Sequence, residues 1–534
     1  MKFFFLQILL LIALVNFGQD LKFPPPALKI PKLLNIKGNL RIDNYYWLKN
    51  KDSINVLEYL NAENNYAKES LLEIDTLTKK IRNEFTKDYI IPRKVNKDKT
   101  DSIYNGIIIS YKRKLGARYP TVYKRKRSSF VYDSLIDINA IATGHKYFLY
   151  KLTYSPDRKI MTIVYDTTGN ELYQCDFIDI KSGKKLNESL KNITDHYEWS
   201  TRRQCFFYIT TDSLDSRWST IKMHKIGTAI SQDPIVYFEK NTGCNVYITK
   251  DETEKLLLFN SDGRSGFAQQ YIEVNKPFSK IQKIQAYSDQ IIFVIKPYRN
   301  SIYILTNYKA KTYRILKTSL KRPDDLDNCQ EIIPANSKVI IENFYLLNDF
   351  LIIQERINGL PAVRTFNLKN EKINNINFSE STYSVELNIA NSSKDTLEIK
   401  YSSPIEPQII IHFNLKTNAQ TISSYKTSDT LLFNTKNYVV KRVFSKSTDG
   451  SEIPITLFYR NNIKLNHQNP LLLEAYGAYG HIEEDGFNRF LIPLVDRGFI
   501  YGSAHVRGGG EFGEEWYEQG RNIKKKNSIE DFIS

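Results

Sequence analysis

Cysteine is scarce in this chain: four in 534 residues, at Cys175, Cys205, Cys244 and Cys329. None belongs to a Cys-x-x-Cys pair, which excludes a thiolate zinc site and a dithiol redox motif. Buried free thiols are the expectation, although an exported chain could oxidise them. Histidine is equally thin, with seven copies and no His-Glu-x-x-His phrase, so no metal site is written and no cofactor is expected. Beyond the first 20 residues no apolar run approaches the ~20 residues that a spanning helix needs. No RNA-binding sheet motif or zinc finger is present either. The formal charge of +16 comes from Lys and Arg scattered among many Asn and Ile. It reads as compositional drift and not as a nucleic-acid footprint.

What is present divides the chain by texture. At 534 residues, two or three domains are expected. Composition is that of a soluble globular protein, 41% hydrophobic and 25% charged, and aromatics at 13% lean towards β structure. Residues 1–19 carry one early cation, Lys2, an apolar run over 3–15, and then small and polar residues. That is a secretory signal peptide with cleavage near Gly18 or Gln19, which implies an exported protein, periplasmic or secreted. The apolar run is too short for a stable membrane anchor, and no cysteine at the cleavage point supports a lipid-attached form. Residues 20–100 open with a proline-rich, extended lead over 23–31. Helical periodicity follows through Val56, Leu57, Leu60, Ala67, Leu71, Leu72, Leu77 and Ile81, an amphipathic helix or helix pair whose part is packing.

From 101 to 433, short runs rich in Tyr, Ile, Val, Phe and Thr alternate with turn clusters such as Ser155-Pro156-Asp157, Thr168-Gly169-Asn170 and Asn260-Ser261-Asp262-Gly263. Several strands per ~45 residues is the signature of propeller blades, about seven of them. Thr153–Asp157 and Asp195–Ser200 read as blade-opening phrases. A pair of β-sandwiches is the alternative, but nothing divides the region in two. From 434 to 534 the order is two antiparallel strands, then strand, helix over 487–497, strand, and a helix after Asn527 with Ser528 as N-cap and Asp531 at N3. That is how an α/β-hydrolase sheet begins.

The most distinctive stretch is 470–532, where apolar strands run into turns dense in glycine, aromatics and charge. Its phrases LEAYGAYG at 473–480 and DRGFIYGSAHVRGGGEFGEEWYEQG at 496–520 resemble the prolyl oligopeptidase family of serine peptidases. So do RIDNYYWL at 41–48, HKIGTAISQDPIVYFEK at 224–240 and IYILTNYKAKTYRI at 302–315, and the likeness is to the oligopeptidase B branch. The resemblance implies an N-terminal segment packing on a C-terminal α/β-hydrolase domain, with a β-propeller between them. The implied activity is endopeptidase cleavage of short peptides, with no nucleic-acid partner, by a Ser-His-Asp acyl-enzyme route.

Residue by residue, Tyr476 matches the family's oxyanion-hole tyrosine, worth ~3 kcal/mol of barrier. Glu474 and Ala475 depart from the family phrase before it. A tyrosine packed under the propeller is the other reading. In the run Glu483-Glu484-Asp485, Glu484 and Asp485 are candidates to receive a basic substrate side chain; the next acidic position of the pattern falls on Gly486. A solvated loop is the alternative. Arg507, Gly508, Gly509, Gly510 and Glu511 read as a structural turn fixed by ion pairs or hydrogen bonds. Ser503 and His505 read as strand residues, packed and not catalytic.

No Gly-x-Ser-x-Gly elbow occurs in the sequence; the nearest phrase, Gly263-Arg264-Ser265-Gly266, lies in the propeller with the wrong spacing. The expectation is a chain truncated before its nucleophile, inactive alone, with a poorly protected region after about 436. A non-catalytic peptide-binding propeller module and a split enzyme with a separate C-terminal catalytic fragment are the competing readings.

Overall fold

The computed structural model describes residues 23–534 except 88–98, 105, 115, 202–203, 212–216, 252–253, 264–265, 289–290, 300, 320–325, 390–391, 394 and 425–433. Residues 1–19, read from the sequence as a signal peptide cleaved near Gly18 or Gln19, lie outside the described residues, as do Arg264 and Ser265. Two compact units emerge, 1–90 and 91–534. No helix among the described residues is long and apolar enough to cross a membrane.

The first unit contains a hairpin that the proline-rich lead conceals. Lys32–Ile36 pairs antiparallel with Asn39–Asp43. Its two-residue turn, Lys37 and Gly38, takes positive φ at both positions (51° and 87°), the twist that suits a tight hairpin. Trp47 donates its indole N–H to the Leu28 carbonyl at 2.8 Å, tying the lead down. The periodic stretch forms two helices, Ile54–Ser70 and Asp75–Lys87, separated by a 3-10 turn at Leu72–Ile74.

The second unit opens with a propeller. Five separate four-stranded sheets and one seven-stranded sheet account for it. The seven-stranded sheet is two blades sharing a strand. Lys185–Trp199 is 15 residues long and bulged; its first half pairs with Tyr173–Asp179, and its second half with Cys205–Thr211. Counting that sheet as two gives seven blades. Asp195–Trp199 thus lies in the half-strand that opens the third blade, whereas Thr153–Asp157 spans the end of the second blade's first strand and the turn after it.

Blades are pressed on both faces by their neighbours, so inner strands such as Ile160–Asp166, Cys205–Thr211 and Ser301–Thr306 read as continuous apolar runs, whereas strands such as Trp218–Lys225 and Leu360–Asn367 alternate. In Cys205–Thr211, Cys205, Phe206, Phe207, Tyr208 and Ile209 are all buried. Phe206 and Tyr208 pack towards Cys175, Phe177 and Trp199, whereas Phe207 and Ile209 pack towards Val246, Ile248 and Phe259 of the next blade. All four cysteines are free, three of them buried.

Propeller blades run up and down, so successive connections alternate between the two faces. The second-to-third turns of the fifth and sixth blades meet the segment that follows the propeller: Lys311 reaches Glu515 at 3.9 Å, and Gly359 lies against Arg442 and Phe512. First-to-second and third-to-fourth connections therefore open on the opposite face.

After the propeller, Tyr438–Lys446 and Glu452–Arg460 form an antiparallel hairpin. Ile500–Ala504 joins it antiparallel, and Leu471–Glu474 lies parallel to Ile500–Ala504 at the edge. The spatial order places the last-formed strand inside the third, as an α/β-hydrolase sheet begins. Between them the helix is shorter than the sequence suggests, a 3-10 turn at Arg489–Leu491 followed by Ile492–Val495, with Asn488 capping through its side chain.

The final helix is Lys525–Ile533, beginning three residues before the expected cap. Ser528 and Asp531 are therefore not a capping pair. Both are buried inside the helix and serve the turn described next.

Candidate active site

Two glycine-bearing loops, 475–482 and 506–513, cross each other at close range. Gly480 donates its N–H to the Gly508 carbonyl at 3.0 Å, and Gly510 donates to the His481 carbonyl at 3.2 Å. Gly477 and Gly508 are the points of nearest approach. At Gly477 (φ +58°) a Cβ would run into the Val506 side chain and stand 3.0 Å from the Arg507 carbonyl. At Gly508 (φ +96°) it would land on the Gly477 carbonyl. Only glycine permits this backbone-on-backbone crossing. Lys525 caps the Gly477 carbonyl with its ammonium.

Arg507 fixes the crossing from below. Its guanidinium holds Asp531 of the final helix through Nε (2.8 Å) and Nη2 (2.5 Å), while its backbone N–H donates to the same carboxylate at 3.0 Å. Nη1 reaches Asp449, in the hairpin turn of the first two C-terminal strands, at 2.5 Å. These hydrogen bonds, led by Asp531, hold the Arg507 pKa above the ordinary arginine value despite burial. The hydrogen bond from Arg507 draws Asp449 down to about 2. Ser528 donates to the Arg507 carbonyl (2.5 Å) and to the Gly520 carbonyl (3.2 Å). One side chain thus ties three consecutive structural elements together.

The acidic run sits where the propeller meets these loops, and its two candidates diverge. Asp485 turns inward. Its carboxylate accepts from Thr382 of the last blade (2.5 Å) and from Thr456 (2.6 Å), and lies 3.2 Å from His505 Nε2. Burial pushes the Asp485 carboxyl up, but hydrogen bonds from His505, Thr382 and Thr456 outweigh it and hold it below the usual carboxylate range. Bound in this way, the Asp485 carboxylate is engaged at the junction of the last blade with the C-terminal strands.

Glu484 takes Arg356 of the sixth blade at 2.5 Å, and its side chain keeps 37% exposure. Burial raises its pKa against the pull of Arg356. Arg356 is itself buried, with Glu342 on its other side at 2.5 Å. Burial opposes its charge, yet the two carboxylates prevail and keep its pKa above the ordinary value.

His505 is the residue whose chemistry the sequence hides. It stands just past the strand Ile500–Ala504 and is buried, but its partners favour the cation. Its ring lies between Asp485 and Glu511, with Nδ1 3.6 Å from the Glu511 carboxylate. Burial works against the charge, but Asp485 and Glu511 outweigh it and lift the imidazole to about 9. Glu511 is 2% exposed and also accepts the Glu483 N–H at 3.2 Å. A histidine flanked by glycine-rich turns gives no sign of partners 20 and 6 residues away.

Tyr476 stands just beyond the edge strand, 51% exposed, its ring edge-on to His481 at 5.3 Å. It is therefore not packed under the propeller. Tyr479, three residues on, adopts a left-handed backbone (φ 57°) and is 85% exposed. Strained backbone of this kind persists where its surroundings over-determine it. Glu474, the departure from the family phrase, accepts the Tyr501 hydroxyl at 3.0 Å. Among the described residues no cluster of three or more His, Cys, Asp and Glu side chains could hold a metal ion.

Comparison with known proteins places the fold. Residues 25–426 match "Prolyl oligopeptidase, N-terminal beta-propeller domain", and residues 486–534 match "Prolyl oligopeptidase family". The chain is 25% identical over 524 residues to Protease 2 of Moraxella lacunata, covering 96% of this chain and 74% of that protein. Against dipeptidyl aminopeptidase BI of Pseudoxanthomonas mexicana it is 25% identical over 545 residues, covering 96% and 72%. Oligopeptidase B from Trypanosoma brucei, solved with covalently bound antipain in its closed form, aligns with a TM-score of 0.83 at 23% identity, over 96% of this chain and 76% of that one. At that identity the structural likeness speaks for the fold alone. The propeller match by itself spans well over half the sequence, and with it the seven blades and the hydrolase strands have their explanation: the chain belongs to the prolyl oligopeptidase family of serine peptidases.

Proposed function

We propose that the chain is part of an exported oligopeptidase B-type enzyme that admits short peptides and cleaves them beside basic residues by an acyl-enzyme route. The observation that carries this reading is the placement of Tyr476. Its phenol is half exposed at the end of the edge strand, and the crossed glycine loops leave its backbone little freedom. A phenol O–H held there can donate to the oxyanion that forms when a scissile carbonyl is attacked, a contribution of about 3 kcal/mol. Glu484, held by Arg356 at 2.5 Å with more than a third of its side chain still exposed, is the carboxylate that would share its charge with a substrate guanidinium or ammonium.

No Gly-x-Ser-x-Gly phrase lies within the 534 residues. The expectation is that this polypeptide, purified as it stands, binds peptides and does not hydrolyse them. A peptide-binding module and one part of a split enzyme both fit that behaviour. The test pairs two measurements on the purified chain: anisotropy of a labelled Arg-Arg peptide, and release of a fluorophore from a dibasic reporter. Binding without release, weakened by Glu484→Gln, supports the reading. Serine-dependent release by the chain alone would refute the bind-only part; no binding of basic peptides would refute the substrate class. Where hydrolysis is restored by adding a fragment that bears a Gly-x-Ser-x-Gly elbow, Tyr476→Phe should lower kcat by about a hundredfold or more.

A further inference from the structure

The propeller face opposite the C-terminal strands carries a feature that peptide hydrolysis does not use. In the first blade, Thr121–Lys126 connects to Asp133–Asp137 through a turn on that face. At its tip Phe130 is 93% exposed and Val131 71% exposed. The stem beneath is braced. Arg125 donates to the Ser129 carbonyl at 2.9 Å, and the Tyr132 ring lies between Lys112 (3.6 Å to its centroid) and Arg125 (5.4 Å). The tip is therefore held outward and does not fold back onto apolar surface.

Beside it stands the equivalent turn of the second blade, Lys181-Ser182-Gly183-Lys184, joined to the first by Lys124, whose ammonium donates to the Lys181 carbonyl at 2.6 Å. Lys126, Arg127, Lys181 and Lys184 are all exposed, and among the described residues none forms an ion pair. Two acids lie nearby: Asp179, which accepts the Ser182 N–H at 2.7 Å and feels the charges of Lys124 and Lys181, and Asp133, opposite Lys124 in the strand register; the four exposed cations and Lys124 outnumber them.

We propose that this face docks on an anionic lipid surface, with Phe130 and Val131 entering the boundary between headgroups and acyl chains and the four cations resting on the headgroups. An apolar wedge inside a cationic collar matches that boundary, where aromatic and aliphatic side chains find hydrocarbon and lysine and arginine find phosphate. A nucleic-acid duplex offers the cations phosphate but gives Val131 no apolar phase. Each unpaired cation at an anionic surface is worth about fivefold in partitioning.

Sedimentation of the full chain with vesicles tests this, comparing phosphatidylcholine alone with phosphatidylcholine plus phosphatidylglycerol. Stronger association is expected with the anionic vesicles, falling as salt rises. Phe130→Ser with Val131→Ser should reduce association with the anionic vesicles several-fold, and Arg127→Glu with Lys184→Glu by more than tenfold. Circular dichroism should be unchanged in both, because all four side chains are exposed. Parent and variants carry the same apolar N-terminus, so their difference reads the turns alone. Equal association with neutral and anionic vesicles, or folded variants that sediment like the parent, would overturn the proposal. So would binding to duplex DNA that depends equally on Phe130.

Discussion

Arg507→Met tests how the crossed loops are held. The Arg507 side chain is 5% exposed, and that of its partner Asp531 is 0% exposed. Removing the guanidinium leaves the Asp531 carboxylate buried with only the 507 backbone N–H as partner. Stranding one member of a buried pair costs about 3–5 kcal/mol, mostly the desolvation of the charge left behind. The Asp449 arm is different. That carboxylate is 47% exposed, so Asp449→Asn should cost under about 1 kcal/mol.

The two numbers separate a buried ion pair from a surface one. The double variant Arg507→Met with Asp531→Leu sharpens the point, because it removes the stranded charge and leaves only the 507 N–H without its acceptor, a smaller cost of about 1–3 kcal/mol. With several packing units in the chain, no single unfolding free energy is defined. Amide exchange within Lys525–Ile533 is the suitable readout. Arg507→Met should accelerate it on the order of a hundred- to several-thousand-fold. The double variant should regain part of that protection. Exchange in Arg507→Met no faster than in Asp449→Asn would refute the reasoning.

His505, raised to about 9, should make the junction pH-sensitive. Its folded pKa lies above the free value of about 6.5, so its contribution is full below about 6.5 and is lost as pH climbs through 9. Asp485, held below its free value, adds stability at higher pH and loses it as pH falls into the carboxylate range. Protease nicking within 483–511 should therefore be slowest between those limits and rise above pH 9, and His505→Gln should flatten the alkaline rise. Gly477→Ala should destabilise the crossed loops by about 1–3 kcal/mol through strain at positive φ and contact with Val506, seen as accelerated exchange there. Cys175, whose thiol burial pushes well above its usual pKa, should resist a thiol reagent in the native chain and react on denaturation. Prompt labelling of Cys175 without denaturant would contradict its burial.

Much of this architecture is legible from local chemistry. Inner blade strands announce themselves because two-sided burial leaves them largely apolar, and turn residues mark where each ends. The glycines at 477, 480, 508, 509 and 510 flag a site where backbones meet. What stays hidden depends on partners far along the chain. Glu484 and Asp485 look equivalent side by side. Arg356 lies 128 residues before Glu484, and Thr382 lies 103 before Asp485; these distant partners decide which carboxylate turns outward. Ser528 and Asp531 satisfy a local capping rule, but the carbonyls of Arg507 and Gly520 and the guanidinium of Arg507 need them more, so the helix starts earlier. His505 shows no charge in a strand of small residues, because its counterions arrive only with the fold.

The strand Lys185–Trp199 makes the ring mechanically uneven. Neighbouring blades elsewhere cohere through packed side chains, as in the clusters joining the fifth to the sixth and the sixth to the seventh. The second and third blades share a backbone. Pulled apart from its ends, such a ring yields like a stack of plates with two of them riveted: single blades come away one at a time, and residues 149–238 go in one larger step. That step is a length, readable in a force–extension trace as about twice the increment of any other.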